Sequence, residues 1–227
     1  MTPFLTIAQA RSPQGVEMSL HTHGGDFFLR VNGQALMGTN AVESEKILAQ
    51  LACDRLRAHK APRVLIGGLG FGFSLRRVLE CVGKGAIVEV AELFPEVVTW
   101  NREHMAAVNG LLVDDPRVHI LMGDVFQFIA KAPPAHYDAI LLDVDNGPIA
   151  MTQDGNSRLY KDHGLAMFRV ALKPQARATF WSATDDRAFP KKLAKAGFKV
   201  EVVHAKAYPQ ARRAQHTIFV GERNERR

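Results

Sequence analysis

Arg63-Val64-Leu65-Ile66-Gly67-Gly68-Leu69-Gly70-Phe71-Gly72 is an apolar run that ends in four glycines within six positions, and its reading decides the fold. About twenty residues on, a second apolar run through Val90-Ala91 ends at the carboxylate Glu92, followed by Leu93. Such a pair predicts two neighbouring parallel strands, the first leading through a glycine turn into a helix. Glycines let the turn backbone approach a ligand closely, and an acid at the end of the second strand accepts hydrogen bonds from a ribose. The layout therefore points to an adenosine-bearing cofactor bound at the edge of a parallel sheet.

Outward from this stretch the chain alternates. Strands are expected at Val64–Ile66, Ile87–Ala91, Val118–Met122, Ala139–Asp143, Ala178–Ser182, Lys199–His204 and Thr217–Val220. Helices are expected between them at Phe73–Cys81, Pro95–Val108, Val125–Ala130, Gly164–Leu172 and Phe189–Ala196. Strand–helix alternation is the pattern of a sheet covered on both faces. Nothing between Ala205 and Gln215 reads as a helix, so the final strand should return by a hairpin and run antiparallel. The fold class is α/β, a seven-stranded, mostly parallel Rossmann-like sheet of the methyltransferase type with an antiparallel last strand.

Residues 1–40 read differently. Val16–His23 and Phe27–Val31 alternate, Gly24-Gly25 turns between them, and Asn32-Gly33 is a strong hairpin signal leading to Gln34–Met37. They form a small N-terminal β-meander, and residues 41–227 form the α/β domain. Residues 41–62 link the two, with an amphipathic helix over Ala41–His59 whose apolar side carries Ile47, Leu48, Leu51 and Leu56.

Bulk properties narrow the class. At 227 residues, 47% hydrophobic and 23% charged, the chain builds one good-sized core. No apolar run reaches the roughly 18 residues of a membrane span, and Met1–Ala10 lacks the basic start of a signal peptide. Two cysteines, Cys53 and Cys81, are expected as reduced core thiols of a cytoplasmic protein. The charge of +6 gathers late, at Lys191, Lys192, Lys195, Lys199, Arg212, Arg213 and the terminal arginines. No aromatic-interleaved basic patch accompanies it, so a nucleic-acid partner is not expected.

The cofactor follows from what the glycine turn lacks. A dinucleotide fingerprint needs a third small residue for tight helix packing, but the register from Gly68 through Gly70 puts Phe73 there. S-adenosylmethionine fits better. Gly67, Gly68, Gly70 and Gly72 would pass under its amino-acid part, whose carboxylate would meet a helix N-terminus. Glu92, with Leu93 beside it, would hold the ribose, and Gly123, Asp124 and Val125 the adenine. Asp143 would end the fourth strand beside the transferred group. Competing structural readings are an N-cap for Asp124 and a turn cap before Pro148 for Asp143.

These segments, Val64-Leu-Ile-Gly-Gly-Leu-Gly-Phe-Gly72, Val90-Ala-Glu-Leu-Phe-Pro-Glu-Val-Val98, Asp115-Pro-Arg-Val118 with Gly123-Asp124, and Tyr137-Asp-Ala-Ile-Leu-Leu-Asp143, resemble the spermidine synthase family in order and spacing. The resemblance spans roughly residues 27–182 and includes Arg30-Val-Asn-Gly-Gln34. It implies frequent homodimers and transfer of an aminopropyl group from decarboxylated S-adenosylmethionine to a diamine. The chain departs from the family at charged positions. The family's glycine loop ends in Gly-Gly-Gly-Asp-Gly, with Gly70 standing here for the Asp. Its Asp-x-x-Asp pair becomes Asp143 and Asn146, and its Tyr-His-Glu aligns with Glu43-Ser44-Glu45.

A diamine is a dication, and burying it needs paired carboxylates. With two acids missing, methylation of a small-molecule acceptor is the expected reaction, with aminopropyl transfer as the alternative. A non-catalytic cofactor- or nucleic-acid-binding relative is a third reading. The expected base is Asp143, with Asp145 second. Glu43, Glu45 and Asp145 are the acids available to compensate. No metal is expected: His21-Thr-His23 lacks a third ligand of suitable spacing. Trp181 and Tyr160 could wall an acceptor pocket or belong to the core, and His204 and His216 are expected as packing or surface residues.

Overall fold

Alternating side chains and tight glycine turns build the first layer of the chain. The computed structural model describes residues 3–12, 15–144 and 154–224. Strands β1 (Leu5–Arg11), β2 (Glu17–His23), β3 (Asp26–Val31) and β4 (Gln34–Gly38) pair antiparallel in chain order. Asn32 and Gly33 both have positive φ, 48° and 77°, the conformation whose twist matches a two-residue hairpin. Met18, Leu20, Leu29 and Val31 point inward and are buried. The meander thus has one strand more than expected. In β1 the apolar residues change face, Leu5 and Ile7 being exposed while Ala8 and Ala10 pack against the core, because a bulge falls between Thr6 and Ala8.

The rest is one large sheet and its covering helices. In chain order these are α1 (Glu43–Cys53), β5 (Arg63–Gly67), α2 (Phe73–Cys81), β6 (Ile87–Glu92), α3 (Pro95–Glu103), α4 (Ala106–Asn109), β7 (Val118–Met122), α5 (Val125–Lys131) and β8 (Tyr137–Leu142). They continue with α6 (Asp162–Ala171), β9 (Leu172–Ser182), α7 (Phe189–Lys195), β10 (Phe198–Ala205) and β11 (His216–Arg223).

The seven strands lie in the order β10-β11-β9-β8-β5-β6-β7. All pairs from β9 to β7 are parallel, while β11 runs antiparallel between β9 and β10. From β5 the chain first moves out through β6 and β7 and then returns to the other side of β5 as β8. That reversal opens a crevice at the carboxyl ends of β5 and β8, where ligands of open α/β sheets bind.

Every second residue of the central strands faces an opposite core. Val64, Ile66, Val88, Val90 and Leu141 pack on the side of α1, α2 and α3, together with the N-terminal sheet. Leu65, Ile140, Leu142, Phe180 and Phe219 pack on the other, against residues of α5, α6 and α7. Burial on both faces explains why these strands read as continuous apolar runs.

Two helices are shorter than their patterns suggest. The expected helix Ala41–His59 stops at Cys53, and the chain continues in single turns (Leu56 N to Cys53 O, His59 N to Leu56 O) that still bury Leu56. The expected helix Pro95–Val108 breaks after Glu103 because Met105 turns into the core at 1% exposure. The break lets α4 present Asn109 to the glycine turn. Cys53 and Cys81 are free thiols and buried. Among the described residues no helix is long and apolar enough to cross a membrane.

Candidate active site

The glycine turn after β5 is held from four sides. Gly68 has φ +90°, and a Cβ there would lie 2.5 Å from the carbonyl oxygen of Asp143. Only glycine lets the ends of β5 and β8 come so close. Asn101 of α3 donates to the carbonyl of Gly70 (2.8 Å), and Asn109 of α4 donates to that of Phe71 (2.6 Å). Neither asparagine stands out in the sequence, since its role depends on where α3 breaks.

Glu92 provides the fourth tie. Its Oε2 accepts from the backbone N–H of Leu69 in the turn (2.9 Å). Its Oε1 accepts from those of Leu93 (2.8 Å) and Phe94 (2.9 Å). Burial raises the pKa of this carboxyl, and the three backbone donors act against that rise. Leu93 beside it is 43% exposed, towards the crevice.

Beyond β7, Gly123 adopts φ +139° and donates to the carbonyl of Glu92 (2.8 Å). Asp124 caps α5, accepting from Phe126 N at 2.9 Å. The same carboxylate is ion-paired with Arg158, whose guanidinium lies 4.3 Å from the Phe126 ring centroid. The capping reading of Asp124 is therefore realised, and the residue also lines the crevice together with Gly123 and Val125.

Asp143 leaves the end of β8 and accepts a 2.6 Å hydrogen bond from the Ser74 hydroxyl at the start of α2. Burial pushes its pKa up to about 6, against the pull of that hydroxyl. Glu45 of α1 faces it across the crevice. Its pKa is raised well above the carboxylate range, first by burial and then by the charge of Asp143, with Lys46 acting in the opposite sense. The Oε2 of Glu45 is sealed from solvent and has no hydrogen-bond partner among the described residues. Two carboxyls in one low-dielectric site disfavour double ionisation, so the pair attracts a cation or retains a proton. Asp145 and Pro148 lie outside the described residues.

These groups line one cavity of about 320 Å³. Its lining contains the acids Glu45, Glu92, Asp124 and Asp143, and no lysine or arginine among the described residues. The N-terminal sheet closes it with an apolar wall made by Met18, Leu29, Val31, Leu36 and Met37. On the β9–β11 side stand Trp181 and His216, with ring centroids 4.8 Å apart. His216 was expected as packing or surface. It reaches the cavity because β11 inserts beside β9, a pairing its own segment does not announce. Burial lowers its pKa, which favours the neutral ring.

Other candidates fall elsewhere. His21 bonds Thr6 (3.1 Å) and Ser19 (2.8 Å), and His23 stacks on Phe4 at 4.9 Å. Tyr160 packs against Phe189 and Phe180 in the second core, at 5.6 and 6.2 Å between centroids. Ser74 was not foreseen, although a serine in the first turn after a glycine loop is a visible signal. Glycine turn, Glu92, Gly123-Asp124 and Asp143 do converge on one crevice.

Known proteins match this arrangement in sequence and shape. The family model of the spermine/spermidine synthase domain matches residues 45–202. A polyamine aminopropyltransferase of Mycobacterium tuberculosis is 34% identical over 116 residues, covering 50% of this chain and 21% of that protein. Putrescine N-methyltransferase 4 of Nicotiana tabacum is 34% identical over 94 residues, covering 40% of this chain and 23% of that protein. The chain thus spans under a quarter of the length of these two relatives. A spermidine synthase solved with the transition-state analogue AdoDATO superimposes with a TM-score of 0.78 at 17% identity, covering 96% of this chain and 74% of that one. At that identity the likeness speaks for the fold.

Proposed function

From the premise that this chain belongs to the spermine/spermidine synthase domain family, we propose that it transfers an aminopropyl group from decarboxylated S-adenosylmethionine to an amine. The observation that carries the reading is the half-buried pair Glu45–Asp143, in which one oxygen of Glu45 is sealed from solvent and has no hydrogen-bond partner among the described residues. A site with two carboxyls in apolar surroundings suits an ammonium group. The acids of the cavity lining likewise suit a donor whose tail is cationic and lacks a carboxylate. This reverses the order expected from the sequence, where methyl transfer led. The acids missing at Gly70 and Asn146 are compensated in part by Glu45, which the fold turns towards Asp143.

In this reading Glu92 accepts from one ribose hydroxyl through the lone pair its three backbone donors leave free, and Leu93, Gly123, Asp124 and Val125 frame the adenine. Gly68 and Gly70 form the floor under the donor's chain, while Gly67 faces Leu142 and Val125 and Gly72 faces Asn101 and Leu112, outside the cavity lining. The acceptor nitrogen attacks the methylene carbon bonded to sulfur. A C–N bond forms and the C–S bond breaks, leaving its electron pair on sulfur as the neutral thioether 5′-deoxy-5′-methylthioadenosine. The proton leaves nitrogen for Asp143, with Asp145 as second candidate. A carboxyl with a pKa of about 6 sits close to the operating pH, as a general base should. The sulfonium is already activated, so alignment supplies much of the rest. Homodimers in the cytoplasm complete this reading, as the family resemblance implies.

Methyl transfer from intact S-adenosylmethionine is the second reading. It is favoured by Gly70, where the family's loop carries an acid and where Met37 occupies the space, and by the tobacco relative. Calorimetric titration with both donors separates the two. Tighter binding of the decarboxylated donor, by about tenfold or more as expected for one uncompensated buried carboxylate, supports aminopropyl transfer. Tighter binding of the intact donor replaces it with methyl transfer.

A further inference from the structure

We infer that the preferred acceptor is a primary amine with one charged end and an apolar tail, rather than an α,ω-diamine. The inference rests on the reading of the cavity as an amine-transfer site and narrows its substrate class.

The described cavity concentrates its acceptor-side charge at one point. Of its four lining acids, Glu92 is committed to three backbone donors and Asp124 to Phe126 N and Arg158. Glu45 and Asp143 remain, and they face each other. With 5′-deoxy-5′-methylthioadenosine bound, which carries no ammonium of its own, they can hold one acceptor ammonium between them. The surface that continues from this pair along the N-terminal sheet is hydrocarbon and thioether. Met18, Leu29 and Val31 are at most 4% exposed, and Leu36 and Met37 extend the same face.

Gly70 marks the change most sharply. A Cβ at this position would stand 2.9 Å from Cε and 3.2 Å from Sδ of Met37. The thioether of Met37 therefore fills the volume into which a side chain at position 70 would project. A second ammonium placed on this side would lose its water and gain no counter-charge, whereas a methyl group would gain apolar contact.

The test compares two amines of the same length, hexylamine and 1,5-diaminopentane, which differ in a terminal methyl against a terminal ammonium. Their binding is measured calorimetrically to the protein saturated with 5′-deoxy-5′-methylthioadenosine, and turnover is followed separately with decarboxylated S-adenosylmethionine. Hexylamine is expected to bind at least about tenfold more tightly, since an unpaired buried ammonium costs at least that much. Met37→Asp is expected to shrink or invert the ratio. Equal or tighter binding of the diamine by the wild-type protein overturns the inference, whatever the turnover shows. Tighter hexylamine binding without turnover upholds it and removes the transfer reading instead. Binding of neither amine overturns both.

Discussion

Asp143→Asn lowers turnover by roughly 10²–10⁴-fold, the range lost with a positioned general base. Asparagine keeps the size of the side chain and an oxygen to accept from Ser74, so the fold at the end of β8 survives. The same substitution raises stability at pH 8. Burial lifts the pKa of Asp143 from 3.8 to about 6 in the folded protein. A group with a raised folded pKa contributes stability fully below its unfolded value and loses that contribution as pH rises through the folded one. At pH 8 the wild-type carboxylate is ionised against the preference of its surroundings, and the asparagine is not. A tenfold change in acidity is about 1.4 kcal/mol, so a gain on the order of 1–3 kcal/mol is expected at pH 8. It should vanish near pH 4. Removing the charge also relieves Glu45, whose pKa Asp143 helps to raise. Thermal unfolding at the two pH values, with kcat measured alongside, checks both halves. A variant that keeps wild-type turnover removes Asp143 from the chemistry.

Glu92→Ala weakens donor binding by roughly 10–100-fold, as expected if the one charge-assisted hydrogen bond that its three backbone donors leave free for a ribose, worth about 1.5–3 kcal/mol, disappears. It also leaves the backbone N–H groups of Leu69, Leu93 and Phe94 without their acceptor. Unsatisfied buried donors cost about 1–3 kcal/mol each, so the glycine turn loosens and the melting temperature falls. Glu92→Gln separates the two effects. Its amide retains one acceptor oxygen, and the turn holds better than in the alanine variant while donor affinity still drops. Calorimetry on folded Glu92→Gln decides the matter, since unchanged affinity there places the ribose elsewhere.

Both residues were legible in the sequence for one reason: each ends a strand of the doubly covered sheet, and such strands announce themselves as apolar runs. Glycine turn, Glu92, Gly123-Asp124 and Asp143 share that property. What escaped depends on tertiary placement. Glu45 is one of three acids the sequence offers for compensation, but that it is the one to meet Asp143 follows from how α1 packs on α2 and β9. Ser74 gains meaning only from its 2.6 Å contact with that same carboxylate. His216 enters the cavity through the antiparallel insertion of β11 beside β9. Asn101 and Asn109 grip the glycine turn because the helix expected over Pro95–Val108 breaks at Met105. Strand β1 does not stand out in the sequence because its apolar residues switch faces at the bulge between Thr6 and Ala8, which breaks the alternation. The sequence favours methyl transfer because two acids are missing along the chain, and folding puts one of the compensating acids, Glu45, beside Asp143.

The most direct test of the account is the identity of the nucleoside released. The protein is incubated with an equimolar mixture of intact and decarboxylated S-adenosylmethionine and an amine, and products are read by mass spectrometry. Aminopropyl transfer predicts 5′-deoxy-5′-methylthioadenosine in step with an amine heavier by one aminopropyl group. S-adenosylhomocysteine in step with a methylated amine would contradict it.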